Sequence, residues 1–214
     1  MSVRIKICGI TRRDDGLAAL VAGADALGIV LVPGSPRHVE ASRAAKLVAA
    51  LRAEAPRPFL AVAVINQLDA AAGREAMTTL GFDRVQFHAT GDVPALAACL
   101  LAFGHAGFVW GAVRVADAAS LEGADDLTCE AIVLDSFVPG VAGGTGRSFD
   151  WTLGAPLAAR RQVVLAGGLT PQTVGEAVRV VRPWMVDVSS GVEESPGRKD
   201  PALVRAFVEA ARGA

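Results

Sequence analysis

Eight short runs rich in β-branched and other apolar residues recur along the chain: Val3–Cys8, Ala26–Leu31, Phe59–Ile65, Arg84–Phe87, Gly107–Val113, Ala131–Asp135, Val163–Ala166 and Met185–Ser189. Their starts lie 22 to 33 residues apart, the length of one strand plus one crossover helix. The first run alternates apolar and charged residues as a strand does, and the others are mostly continuous in apolar residues, which argues that both faces of the sheet are covered. Helix signals fill the gaps. Thr170 as cap, Pro171 at the first helical position and Val174, Ala177, Val178 and Val181 on one face predict a helix over 170–181. Asp200, Pro201 and then Leu203, Val204, Phe207 and Val208 repeat the recipe at the end of the chain. Thr11 with Asp14 three residues on predicts a capping box for the first helix. Eight strand–helix pairs in 214 residues predict a closed (β/α)8 TIM barrel of the α/β class, one domain over residues 1–214, with a doubly wound open sheet as the alternative.

Composition excludes several classes of partner. A formal net charge of −1, with Lys and Arg dispersed, gives no electrostatic footprint for nucleic acid or a membrane surface. No run approaches the roughly 18 apolar residues of a membrane span, and the N-terminus lacks the apolar segment of a signal peptide. The three cysteines, Cys8, Cys99 and Cys129, form no CxxC pair and leave an odd one, as suits a reducing compartment. A soluble cytoplasmic protein is expected.

In a barrel of this kind the active site lies where the strands end, and those ends are polar or glycine at nearly every position. The run Ala131–Leu134 ends on Asp135, beneath a long glycine-rich segment from Gly140 to Phe149 that reads as a lid over an acid. Cys8 closes the first run, and by ring position it would face Asp135 across the mouth. A buried cysteine is often only a small hydrophobe, but a thiolate facing a carboxylic acid suits removal and delivery of a proton on one substrate. For that work the acid must be raised by apolar surroundings and the thiol lowered by amide dipoles or a cation. Gly167-Gly168 and Ser189-Ser190-Gly191, after the seventh and eighth runs, read either as a phosphate cradle or as tight strand-to-helix turns. Arg37 is a fork suited to a carboxylate ligand or to a surface ion pair. His88 reads as a polar orienter or as a bonded core histidine. Asp187, inside an apolar strand, needs either a protein partner or a ligand hydroxyl. The segment Gly143-Gly144-Thr145-Gly146-Arg147-Ser148 fails as a nucleotide P-loop, with Arg147 where the lysine belongs. No zinc-type or dinucleotide motif is present, so neither metal nor cofactor is implied.

Together these segments resemble the phosphoribosylanthranilate isomerase family of tryptophan biosynthesis. The matching blocks are Lys6–Thr11, Gly23–Asp25, Ser35–Arg37, Val85–His88, Leu134–Ser136, Gly143–Gly146 with Phe149–Trp151, Leu165–Leu169 and Val186–Glu193, extended by Pro196-Gly197 and Lys199-Asp200. They run in order from end to end. The resemblance implies a (β/α)8 barrel that rearranges N-(5-phosphoribosyl)anthranilate to 1-(2-carboxyphenylamino)-1-deoxyribulose 5-phosphate, an aldose–ketose isomerisation without metal or cofactor. By motif match, Asp135 would be the general acid that opens the ribose ring and Cys8 the general base at C2. Arg37 would hold the anthranilate carboxylate, with His88 and Asp187 as further substrate-binding candidates. Gly144, Gly167, Gly168, Ser189, Ser190 and Gly191 would hold the phosphate. The expected partner is this small molecule alone, with no nucleic acid and no membrane, on a monomer or homodimer. Departures from the family pattern at Leu31, Ala61–Asn66, Phe87 and Ala89 are apolar or small exchanges that bear on pocket packing rather than on the reaction. A histidine-pathway isomerase would carry an aspartate where Cys8 stands, a metal-dependent epimerase would need a His/Asp ligand set, and a barrel without turnover would have lost the acid or the base.

Overall fold

Every barrel strand offers apolar side chains in both directions, and the two directions feed two separate cores. In the computed structural model, which describes residues 2–65, 70–88, 93–104, 106–136 and 149–214, eight parallel strands close in chain order. They are β1 (Arg4–Cys8), β2 (Ala26–Val30), β3 (Leu60–Ile65), β4 (Arg84–His88), β5 (Val109–Val115), β6 (Ala131–Ser136), β7 (Val163–Leu165) and β8 (Met185–Val188). β8 returns to pair with β1, Met185 beside Arg4 and Val188 beside Ile7, so no edge is left and the open-sheet alternative is excluded. Side chains of one parity, such as Ile5, Ile7, Leu27, Ile29 and Leu134, point outward and pack with helix residues such as Leu20, Leu51, Leu96 and Phe207. Those of the other parity, including Ala26, Val62, Trp110, Val133, Val164 and Met185, fill the inside of the ring. Trp110 and Trp184 meet edge to face at 5.8 Å, with the Arg4 guanidinium 4.7 Å from the Trp184 ring, at the end where the strands begin. The opposite end is left for polar groups.

The helices are α1 (Arg13–Ala22), α2 (Ala41–Glu54), α3 (Ala70–Thr78), α4 (Val93–Phe103), α5 (Ala155–Ala158), α6 (Val174–Val181) and α7 (Pro201–Arg212). α7 starts as its sequence predicts: the Asp200 carboxylate accepts from the Ala202 and Leu203 N–H groups, and Val204, Phe207, Val208 and Ala211 are buried. The capping box expected at α1 does not form, because the Thr11 hydroxyl donates instead to the Gly197 carbonyl at 2.6 Å. α6 begins at Val174 rather than Pro171, since the Thr170 N–H donates to Thr173 Oγ1 at 3.0 Å and holds 171–173 in a turn. The crossover from β5 to β6 carries no α-helix, only the 3-10 turns Ala119–Leu121 and Ala124–Asp126. There Asp117 Oδ1 accepts from both the N–H and the hydroxyl of Ser120, and such local bonds compete with helix formation.

β5 runs two residues further than predicted, which places Arg114 within the strand and in register with Asp135. A small hairpin, β9 (Glu193–Ser195) and β10 (Arg198–Lys199), follows β8, with Glu193 and Lys199 paired. Its turn is Pro196-Gly197, and Gly197 has φ +81°, the pattern in which proline presets the first corner and glycine takes the left-handed second one. Among the described residues no helix is long and apolar enough to cross a membrane.

Candidate active site

Strand alternation puts Lys6 and Cys8 on the same, inward face of β1. The barrel mouth holds a cavity of about 640 Å³ lined by Cys8, Arg37, His88, Asp135 and Asp187 together with Gly167, Gly168, Ser189, Ser190 and Gly191. Ten of the candidates thus converge on one space. The eleventh, Gly144, and the lid segment 140–148 lie outside the described residues.

Cys8 lies against Gly28 of β2, where an added Cβ would sit 2.7 Å from its sulfur and 3.1 Å from Lys6 Cε. Burial pushes the Cys8 thiol above its ordinary value of 9.0, and the Asp187 charge adds to this. The ammonium groups of Lys6 and Lys199 pull the other way without prevailing. The expectation of a lowered thiol is therefore not met: the cations are present, but enclosure outweighs them.

Asp135 follows the expected direction. Burial lifts its carboxyl above the ordinary 3.8, against the opposing pulls of His88 and of the Ser136 N–H, which donates to Oδ1 at 2.8 Å. His88 Nε2 lies 3.8 Å from Asp135 Oδ2, too far for a hydrogen bond, and has no partner among the described residues. Its Nε2 is therefore free to meet a ligand. Burial holds its pKa below 6.5, so a neutral imidazole stands beside the carboxyl at neutral pH.

The open question at Asp187 resolves toward a protein partner for one oxygen. Lys6, fully buried, donates to Asp187 Oδ2 at 2.6 Å and to Gln86 Oε1 at 3.0 Å. Oδ1 of Asp187 is buried and without a partner among the described residues, so a ligand hydroxyl remains compatible with it. Arg37 also has a protein partner: Nε and Nη2 bind both oxygens of Glu193, at 2.9 and 2.7 Å. That contact leaves Nη1 outside it. Lys199 Nζ donates to Glu193 Oε1 at 2.7 Å and to the Ser189 carbonyl at 3.1 Å, tying the loop after β8 to the hairpin.

The loops after β7 and β8 pack backbone against backbone. A side chain on Gly167 (φ +81°) would overlap the Ser136 amide, and one on Gly191 would overlap the Leu169 carbonyl oxygen. Among the described residues no three His, Cys, Asp or Glu side chains gather as metal ligands. Sequence reasoning passed over Lys6, Gln86, Glu193 and Lys199. The available signals were the parity Lys6 shares with Cys8 and the Pro196-Gly197 turn that sets Glu193 across from Lys199.

The family profile described as N-(5'-phosphoribosyl)anthranilate (PRA) isomerase matches residues 5–210. An N-(5'-phosphoribosyl)anthranilate isomerase of Pseudomonas aeruginosa is 45% identical over 214 residues, spanning 99% of this chain and 96% of the relative. The crystal structure of phosphoribosyl anthranilate isomerase from Thermotoga maritima superposes with a TM-score of 0.86 at 34% identity, over 99% of this chain and 100% of that one. A structure of phosphoribosyl anthranilate isomerase in complex with reduced 1-(o-carboxyphenylamino)-1-deoxyribulose 5-phosphate superposes at 0.82 with 32% identity, over 99% and 100% of the two chains. Full-length matches of this kind, on a closed eight-stranded barrel, mean that the chain belongs to the N-(5'-phosphoribosyl)anthranilate isomerase family.

Proposed function

We propose that this barrel catalyses the Amadori rearrangement of N-(5-phosphoribosyl)anthranilate by general acid–base catalysis between Asp135 and Cys8. The protonated Asp135 carboxyl donates to the ribose ring oxygen, the C1–O bond breaks, and the anilino nitrogen supplies the electron pair that makes a Schiff base. The Cys8 thiolate takes the C2 proton, and the resulting enolamine relaxes to the ketone. Carbon 1 is reduced as carbon 2 is oxidised, so no external electron carrier enters the balance. Arg37 meets the anthranilate carboxylate, Asp187 Oδ1 accepts from a sugar hydroxyl, and the loops at 167–168 and 189–191 receive the phosphate. One observation carries the reading: an acid held up by burial and a cysteine open onto the same cavity. Every proposed group in that cavity comes from one chain, so a monomer or a homodimer would serve, and the reading places the enzyme in the cytoplasm. The test is the loss of anthranilate-type fluorescence when purified protein meets the substrate. Fluorescence that stays constant, with the barrel shown folded, would sink the reading.

The two pKa shifts predict the form of the pH profile. The working state needs Asp135 protonated and Cys8 ionised, the reverse of their ordinary order of 3.8 and 9.0, and burial, which raises both, favours the first and opposes the second. Between the two pKa values the fraction of protonated acid falls as fast as the fraction of thiolate rises, and their product is constant. kcat/KM, which reports the free enzyme, should be flat between the two limbs. The acid limb, belonging to the Asp135–His88 pair, should lie above 3.8 and the alkaline limb above 9.0. An alkaline limb below pH 9 in a Michaelis-type profile would contradict the raised thiol.

A further inference from the structure

The contact between Glu193 and Arg37 admits two opposite meanings. Glu193 would be an internal competitor if it occupied the guanidinium edge that a ligand carboxylate needs. It would be an anchor if it turned the guanidinium so that the remaining edge meets the ligand. A competitor has to leave, and Glu193 is held from three sides. Its Oε1 accepts from Arg37 Nε at 2.9 Å, from Lys199 Nζ at 2.7 Å and from the Gly197 N–H at 3.3 Å, while Oε2 takes Arg37 Nη2 at 2.7 Å. The side chains of Glu193 and Lys199 are 4% and 1% exposed, so departure of the carboxylate would strip a buried ammonium of its counter-charge. Arg37 itself passes over Gly9, where an added Cβ would overlap its side chain near Cδ, so the stem is confined as well as the head.

We propose that Glu193 is a positioning residue that fixes the Arg37 guanidinium and thereby sets the preference of the site for a ring carrying a carboxylate. This rests on the reading that Arg37 meets the anthranilate carboxylate. Glu193 acts only through Arg37, and the two-point contact is what confers orientation: a single bond lets a guanidinium swivel, whereas a paired one does not. Charge alone predicts the opposite sign. Arg37, Lys199 and Glu193 together carry a formal +1. Neutralising Glu193 would raise that to +2, and Coulomb attraction would then favour any anion more strongly. A fall in carboxylate preference on removing the negative charge would therefore report orientation, not charge.

The experiment compares kcat/KM for N-(5-phosphoribosyl)anthranilate with that for N-(5-phosphoribosyl)aniline, which lacks only the carboxylate, in the unaltered protein, Glu193→Gln and Glu193→Asp. The expected result is that Glu193→Gln loses at least about tenfold of the anthranilate-over-aniline ratio, as befits a charge-assisted pair turned single. Its kcat/KM for the aniline should fall by less than that for the anthranilate, since the aniline makes no use of the Arg37 orientation and shares only the loop that Lys199 ties down. Glu193→Asp keeps the charge but is one methylene short of the fork, and should lose the ratio as well. An unchanged ratio, or a fall of both substrates together, would mean that Glu193 is merely structural, and a raised ratio that it is a competitor. Each of these overturns the proposal. If the Gln variant does not fold, the Asp variant decides. Absence of turnover by the unaltered protein on either substrate would instead overturn the isomerase reading, and this inference with it.

Discussion

Asp135→Asn should lower turnover by about 10²–10⁴-fold, the range in which a positioned general acid operates, without lowering the unfolding midpoint, because burial already disfavours the charged carboxylate there. The substitution is chosen for what it keeps. The Oδ1 of asparagine can still accept from the Ser136 N–H, now bonded at 2.8 Å, so no buried amide is orphaned. It loses only the ionisable proton, and an amide cannot open the ribose ring by proton donation. Cys8→Ala should be as damaging, because no other thiol opens onto the cavity: Cys99 is buried among outward-facing core residues and Cys129 packs against the same core. The pair should also be non-additive. With the acid gone the base has no Schiff base to act on, so the double variant should be hardly slower than either single one. Rates are read by fluorescence and folding by thermal unfolding of the same samples. A near-normal rate in either single variant would remove that residue from the mechanism.

The second large effect concerns stability. Lys6→Met should destabilise the barrel by about 3–5 kcal/mol, the usual result of breaking a buried ion pair from one side. The lysine is fully buried and its ammonium donates to Asp187 Oδ2 at 2.6 Å and to Gln86 Oε1 at 3.0 Å, with the Cys8 sulfur also beside it, so solvent cannot replace it. Burial drags the Lys6 pKa down, but the negative partners more than reverse this and hold it above 10.5. A raised folded pKa means that the pair's contribution is fully present below the unfolded value and is lost as pH rises through the folded one. The unaltered protein should therefore keep this contribution across neutral pH and lose it only above about 10.4. The deficit of the methionine variant should therefore shrink as pH rises above about 10.4, where the unaltered protein loses the same contribution. Replacing Asp187 by leucine as well should restore most of the stability, since a packed apolar pair often matches a buried ionic one. Denaturant titrations at several pH values measure all three. A deficit below about 1 kcal/mol, or one that does not change with pH, would show that the pair is not electrostatically coupled to the fold.

The parts of the fold that were legible in the sequence rest on local chemistry. The α7 cap at Asp200 and the apolar face of Val204, Phe207 and Val208 needed only neighbours within two turns. The same holds for the strand runs, whose mostly continuous apolar character reflects two covered faces. Where local reading failed, a distant partner had taken the group in question. Thr11 left its cap for Gly197, 186 residues away in sequence. The crossover after β5, conversely, stayed non-helical because Asp117 and Ser120 satisfied one another locally.

At the site, the residue types and the strand ends they occupy could be read directly, because chemistry at a barrel mouth calls for recognisable groups at recognisable positions. Their electrostatic states could not. Alternating charge in Arg4-Ile5-Lys6-Ile7-Cys8 looks like a strand with one wet face, yet that face is the inside of the ring and Lys6 is fully buried there. The fate of the Cys8 thiol likewise depends on whether enclosure or the nearby ammonium groups win, a balance over groups from β1, β8 and the hairpin. Thus the chain's own order of residues determined the number of barrel strands, their period and which side chains stand at their ends, since these follow from short-range pattern. Only closure of the barrel decided which charges are buried, that Arg37 is gripped by Glu193, and which way each pKa moves. Those outcomes are sums over residues far apart in sequence, at distances and exposures that a linear pattern does not contain.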